Sequence, residues 1–315
     1  MQNDKQRRRF AEDALQHTYK ITRDGGVLFY RPIDHLVYYT LQSVLSRRYS
    51  LRVLASSHMF THVHEGIYVE DIVQLASYEH DLSSLFAREF NRETGRRGPV
   101  FARKYGSALK RSDKDKRSCL IYILNNPVEK KLVSKARDDR WTFLPYYDKE
   151  YPFSRRPIIR YSRKSLVDAI HLIEHEYRAA RYLRYGFLHF IFSLLDEEER
   201  EQLTDFIIQR YFFFDRKTCE GLFGSLDKMM QATELTTGKE FEVGEEFEPF
   251  SDIPYRQMCS LVDRQGLLGK GLPLLQLPEE RQARLARYFL ENTNVNERQV
   301  ARFLHVDPKP FFVRK

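Results

Sequence analysis

Residues 49–69 read YSLRVLASSHMFTHVHEGIYV, a stretch rich in strand formers and long enough for two strands, with a turn expected at Ser56 and Ser57. Upstream, HTYKITRDGGVLFY (17–30) carries alternating and aromatic-rich pieces around Gly25 and Gly26, which predicts a strand ending in a turn. Between them, IDHLVYYTLQSVLSRRY (33–49) places Leu36, Tyr39, Leu41, Val44 and Leu45 near helical spacing, with Asp34 as its cap. Downstream, EDIVQLASYEHDLSSLFAREFNRETG (70–95) predicts a helix ended by Gly95, followed by a strand over PVFARKYGSALK (99–110). RSCLIYILNNPVEK (117–130) predicts a helix that stops or bends before Pro127, because proline disfavours helical geometry in the residue ahead of it. The resulting order of strand, helix, two strands, helix, strand, helix lacks the regular alternation of a doubly wound sheet. It points to an α+β fold, an antiparallel sheet with helices on one face.

Beyond Trp141 the text changes. LPYYDKEYPFSRRPIIRY (144–161) is rich in Pro and Tyr, and residues 165–214 then carry two or three apolar-periodic helices whose aromatics suit a core. Acidic EFEVGEEFEPFSD (240–252) predicts an exposed loop or hairpin. LPEERQARLARYFLENTNVNERQVARFLHV (277–306) offers a helix from Pro278, a polar turn at Asn292–Asn294 and a second helix capped by Asn296, which is helix-turn-helix spacing. Two units are therefore expected: residues 1–145, and a mainly helical domain over 146–315 with a possible helix-turn-helix at 278–305.

The chain has 315 residues, 42% hydrophobic and 14% aromatic, enough to bury a sizeable core, which argues against wholesale disorder. Cys119, Cys219 and Cys259 form no CxxC pair, which argues against a disulfide framework or a cysteine zinc site and fits a reducing compartment. The N-terminus, MQNDKQRRRF, is not followed by an apolar run, and no stretch approaches the roughly 18 apolar residues of a membrane span. A cytoplasmic protein without a membrane partner is expected.

The net charge of +8 is unevenly placed. Residues 1–90 are balanced at 11 basic and 11 acidic groups, residues 141–315 nearly so at 26 and 27, and residues 91–140 carry 15 basic against 6 acidic. That segment interleaves Arg103, Lys104, Lys110 and Arg111 with Phe101 and Tyr105, a composition suited to a phosphate backbone, although it also suits acidic protein partners or an ordinary solvated face.

Within the second predicted strand, His62 and His64 lie two residues apart, so both imidazoles project from one face and could share a divalent ion; a partly buried polar pair is the bland alternative. His58 shares their face if one regular strand runs through, and Glu65 points the other way. On the predicted helix, Tyr122 and Asn126 are one turn apart on one face. A phenol is a poor nucleophile unless a metal or base activates it and the electrophile is polarised.

Taken in order, HVH at His62–His64, DLSSLFAREFNRETGRRGPVFARKYGS at Asp81–Ser107, YILNNPVEKKLV at Tyr122–Val133 and the Trp141 region resemble the HUH single-strand DNA transposases, specifically the REP-associated tyrosine transposases related to insertion-sequence transposases. The resemblance covers roughly residues 17–145. It implies a ferredoxin-like sheet with the histidines on a central strand, a divalent metal (Mg²⁺ or Mn²⁺) held by His62, His64 and Asn126, and Tyr122 as the nucleophile that attacks a DNA phosphate. The family usually has Pro-Asn before the first histidine and aliphatics after the second; this chain has Phe60-Thr61 and Glu65-Gly66.

On this reading the chain nicks single-stranded DNA at hairpin (REP-like) sequences and transfers strands through a 5′-phosphotyrosine. Arg103, Lys104, Lys110 and Arg111 hold the backbone and Tyr105 stacks a base. Tyr105 is the rival nucleophile, disfavoured by its strand context. The terminal helix pair brings Arg298, Gln299 and Arg302 to a duplex stem, unless Val300, Phe303 and Leu304 simply pack it as a helical hairpin. The expected state is a monomer ahead of a dimer, nucleoid-associated. A plasmid-type replication initiator or relaxase shares the chemistry, and a non-catalytic nucleic-acid-binding regulator derived from such a transposase is the alternative from another class.

Overall fold

The computed structural model describes residues 10–102, 105–236 and 251–307. Its first half runs β1 (Leu15–Ile21), α1 (Pro32–Arg48), β2 (Arg52–His58), β3 (His62–Tyr68), α2 (Ile72–Thr94), β4 (Gly106–Lys110) and α3 (Asp113–Glu129). The strands form one sheet in the order β2-β3-β1-β4, with every neighbouring pair antiparallel. The element order thus follows the sequence reading, and the class is α+β.

The helices do not share one face as expected. Tyr38 of α1 and Tyr78 and Glu79 of α2 meet Lys20 and Glu65 on one side of the sheet. Helix α3 lies on the other, where a Cβ at Gly66 would meet Leu120 Cδ2 at 3.0 Å and Ile123 Cδ1 at 3.4 Å. Strands β1 and β3, central and covered on both sides, therefore bury residues of both parities.

Helix α2 shows why these elements form. Asp71 caps it, accepting from Val73 N and Gln74 N at 2.7 Å, and Gly95 ends it in the left-handed region at φ 69°. Leu75, Tyr78, Leu82, Phe86 and Phe90 recur every three or four residues and are fully buried, each contributing about 1.5–3 kcal/mol by leaving water. In α1, Asp34 is not the first cap residue but sits three positions in, where its carboxylate accepts from Tyr30 N and Arg31 N at 2.9 Å.

Three other expectations are corrected. The β2–β3 turn lies at Met59–Thr61, and Ser56 and Ser57 are buried strand residues paired with Glu65 and His64. Helix α3 continues through Pro127 to Glu129, and the Pro127 carbonyl accepts from Leu132 N at 2.8 Å in the turn that follows. The strand expected over 99–110 is shortened to β4, with Phe101 making only an isolated bridge to Thr22.

The second half comprises α4 (Lys164–Arg178), α5 (Tyr185–Ser193), α6 (Glu197–Arg210), α7 (Arg216–Phe223), α8 (Leu226–Leu235), α9 (Ile253–Asp263), α10 (Glu279–Asn292) and α11 (Glu297–Leu304). It packs on both sides of the first half: Tyr39 donates to Ile208 O at 2.8 Å, while Asn125 donates to Thr233 O at 3.0 Å. Asp215 N donates to Val53 O at 2.8 Å, so the chain after α6 partly covers edge strand β2. Most of the acidic 240–252 stretch lies outside the described residues. Among the described residues no helix is long and apolar enough to cross a membrane.

Candidate active site

Antiparallel pairing places Ile21 opposite His62, Tyr19 opposite His64 and His17 opposite Gly66. Alternation then sends His17 and Tyr19 of β1 to the same face as His62 and His64 of β3. The His62 and His64 rings are 5.0 Å apart and nearly perpendicular at 87°. His17 Nε2 lies 3.0 Å from His64 Nδ1, both residues being fully buried. Tyr122 arrives from α3 and sets its ring edge-on to His64 at 5.7 Å and to His17 at 5.9 Å. Tyr122 and His62 are half-buried, so one side of the cluster reaches the surface.

Reading the sequence missed His17 and Tyr19. Their signal was a two-residue spacing on a strand, which becomes informative only once β1 is known to pair with β3. Gly106 of β4 pairs with Tyr19, and a Cβ there would fall 1.9 Å from Tyr19 Cζ. Only glycine lets that ring lie across the strand.

The His17–His64 contact fixes what His64 can do. If Nδ1–H of His64 donates to His17, its Nε2 carries the lone pair needed by a metal ion; the opposite direction protonates Nε2 and disables it. Asn126 is buried and donates to Tyr122 O at 3.2 Å. Among the described residues no group of three or more His, Cys, Asp or Glu is placed to hold a metal ion. A divalent ion at this face would thus have two imidazoles, completed by an amide, water or phosphate oxygen. That donor set suits Mn²⁺ better than Mg²⁺, which prefers oxygen ligands.

His58 is not part of this cluster. The turn at 59–61 separates the strands, His58 pairs with Val63, and its ring faces α1, with Nε2 2.7 Å from Gln42 Oε1. Stacked on Phe29 at 5.2 Å and wholly buried, it has its pKa pushed down to about 3 by desolvation. Glu65 also lies on that far face, as its parity requires, accepting from Tyr78 OH at 2.7 Å. Burial, then the nearby Glu79, push its pKa up to about 7, while Lys20 pairs with Glu79 at 2.7 Å.

The other expected DNA contacts are scattered. Arg103 and Lys104 lie outside the described residues. Tyr105 is half-buried against the core, Lys110 is only 7% exposed, and Arg111 is exposed where β4 leads into α3. In α11, Asn296 caps the helix and Gln299 completes the capping box while also donating to Ser251 O at 3.2 Å. Arg302 lies across Gly25, where a Cβ would fall 2.5 Å from its Nε, and Arg298 is exposed. Val300, Phe303 and Leu304 are buried, and Tyr30 donates to Phe303 O at 2.6 Å. Helix α11 is thereby docked through its apolar stripe.

No family model and no curated protein matches the chain. A solved structure of a REP-associated tyrosine transposase bound to a REP hairpin is similar over 43% of this chain and 79% of that chain, at 16% identity and a TM-score of 0.35. A likeness of that size is too low to assign fold or function.

Proposed function

We propose that this chain is a tyrosine nuclease and strand transferase of single-stranded DNA, working as a monomer on hairpin-containing substrates, with residues 1–145 carrying the chemistry on a ferredoxin-like sheet of the HUH type. The observation that carries the reading is the convergence of Tyr122, from α3, on His64 and His17, from two central strands, at a face open on one side. A tyrosine used only for packing has no need of two histidine rings set against it.

In the proposed reaction Tyr122 Oη bonds to a backbone phosphorus as the P–O3′ bond breaks. The phenolic proton leaves to water, since the lone pairs of His17 and His64 are committed to their mutual hydrogen bond and to the metal, and the departing 3′-oxygen takes a proton from water. A 5′-phosphotyrosine and a 3′-hydroxyl result. Because the ester keeps the phosphate activated, another 3′-hydroxyl can reverse the attack and join strands. His62 and His64, with Asn126, would hold Mn²⁺ or Mg²⁺, which when bound supplies Lewis-acid polarisation of the phosphoryl oxygen. His17 acts by holding His64 in the ligating tautomer. Exposed cations of the 91–117 segment, Arg97, Arg111 and Lys114 among them, would follow the strand's phosphates.

The test is a denaturing gel of the chain with labelled single-stranded hairpin oligonucleotides and either metal. A metal-dependent protein–DNA adduct, lost in Tyr122→Phe and His64→Ala, is expected. Salt-sensitive binding without any adduct would assign the chain to the non-catalytic regulators instead.

A further inference from the structure

Residues 155–164, RRPIIRYSRK, hold five cations and no acid. Three large apolar side chains stand out of this turn: Ile158 is 60% exposed, Ile159 48% and Tyr161 73%. Both ends of the segment are fixed. On one side Asp205 accepts from Phe153 N at 3.1 Å and from Ser154 Oγ at 2.9 Å. On the other a short helical turn, with Tyr161 N donating to Ile158 O at 2.8 Å, leads into α4, where Leu166 is buried. The apolar groups are therefore held in water by an ordered frame and clustered among cations rather than scattered singly, the pattern of an interaction surface.

We propose that this turn is a second nucleic-acid surface, one that seats single-stranded DNA by stacking and charge. Arg156 is matched by Glu150 at 3.2 Å, and Arg163 by Asp196 at 3.3 Å and by Glu199. Arg155, Arg160 and Lys164 have no ion-pair partner among the described residues, so the surface keeps a positive excess that fits a polyanion. The Arg160 guanidinium lies 4.5 Å from the Tyr161 ring centroid, giving an exposed flat platform that is both aromatic and cationic. A single strand offers base faces to such a platform, whereas a duplex offers only phosphates at its flank. Two isoleucines and one tyrosine on a turn form no continuous apolar helix face of the kind that lies in a lipid surface. The surface shares its polymer with the proposed activity but none of its residues, so the two stand or fall separately.

The test uses the full chain carrying Tyr122→Phe, so that binding is read without cleavage, against the same chain with Arg155→Ala, Arg160→Ala and Tyr161→Ala added. All three side chains are exposed, and circular dichroism checks that the fold is kept. Anisotropy with an unstructured single-stranded oligonucleotide of about 30 nucleotides should show Kd raised at least tenfold. The slope of log Kd against log salt should be shallower by about 1.4, at about 0.7 per lost phosphate contact. Affinity within twofold of the parent with an unchanged slope overturns the proposal. So does an unchanged oligonucleotide Kd together with lost binding to phosphatidylserine-containing vesicles. Adduct formation by the chain with Tyr122 intact, alongside an unaffected Kd in the binding comparison, removes this surface and leaves the nuclease standing; a tenfold rise in Kd where the intact chain never forms an adduct does the reverse.

Discussion

Glu65→Gln should make the protein more stable at pH 8 and leave it unchanged at pH 4. On the far face of the sheet two carboxylates, Glu65 and Glu79, share one ammonium, Lys20, so full ionisation leaves a buried excess of negative charge. The folded state answers by holding a proton on Glu65 up to about pH 7, against an ordinary value of 4.5. A carboxyl whose pKa is raised on folding contributes stability that is full below its unfolded pKa and is lost as pH rises through its folded one. The window is thus about 4.5 to 7. At roughly 1.4 kcal/mol per pH unit the ceiling is about 3 kcal/mol, and sharing of the proton within the cluster brings the expected gain to about 1–3 kcal/mol. Glutamine keeps an oxygen for the Tyr78 hydroxyl and presents an amide to the cluster in place of a charge. For a chain of this size the gain corresponds to about 2–5 °C in Tm. Thermal melts of both proteins at pH 4, 6 and 8 check it. Equal or lower stability of the variant at pH 8 would refute the reasoning, as would a difference that does not shrink on acidification.

Three further outcomes follow from the same geometry. His17→Leu, which keeps volume but removes the partner of His64 Nδ1, should slow adduct formation about 10- to 100-fold, with partial rescue by His17→Gln; equal rates in a gel time course would show that the contact is idle. Gly106→Ala must displace the Tyr19 ring beside His64, so both the melting temperature and the adduct rate should fall, and a variant indistinguishable in both contradicts the close approach. Asp34→Ala removes the acceptor for Tyr30 N, Arg31 N and the Arg31 guanidinium at a fully buried position, which should cost about 3–5 kcal/mol by urea unfolding; a loss below about 1 kcal/mol counts against it.

Much of the first half was legible because local signals agreed with the fold. Asp71 and Gly95 mark the ends of α2, and the apolar stripe between them has the period of a helix. The errors come where tertiary pairing outranks local chemistry. Ser56 and Ser57 look like a turn, yet Gln42 of α1 donates to Ser56 Oγ at 3.1 Å, which allows these polar residues to be buried in a strand while apolar Met59 and Phe60 make the turn. His58 was misplaced by the same slip, since a turn between two strands resets their parity. Helix α3 carries past Pro127 because only one backbone donor is missing there and the next turn is closed by other bonds. Of the candidate site, His62, His64, Tyr122 and Asn126 were readable by spacing within single elements, and the structure places the rings of the two histidines and the tyrosine near one another. His17 and Tyr19 were not readable, because their importance depends on the β1–β3 register. Helices α7 and α8 had visible signals in Asp215, Gly224 and Ser225, which cap them, but too little apolar periodicity to stand out.

The central claim is that Tyr122 is the nucleophile. The most direct measurement is mass spectrometry of the trapped covalent product, formed with a suicide single-stranded hairpin and Mn²⁺, digested with nuclease and protease. A nucleotide 5′-phosphate should be found on the α3 peptide at Tyr122. An adduct mapped to another residue, Tyr105 above all, or no adduct with either metal on any hairpin offered, would contradict it.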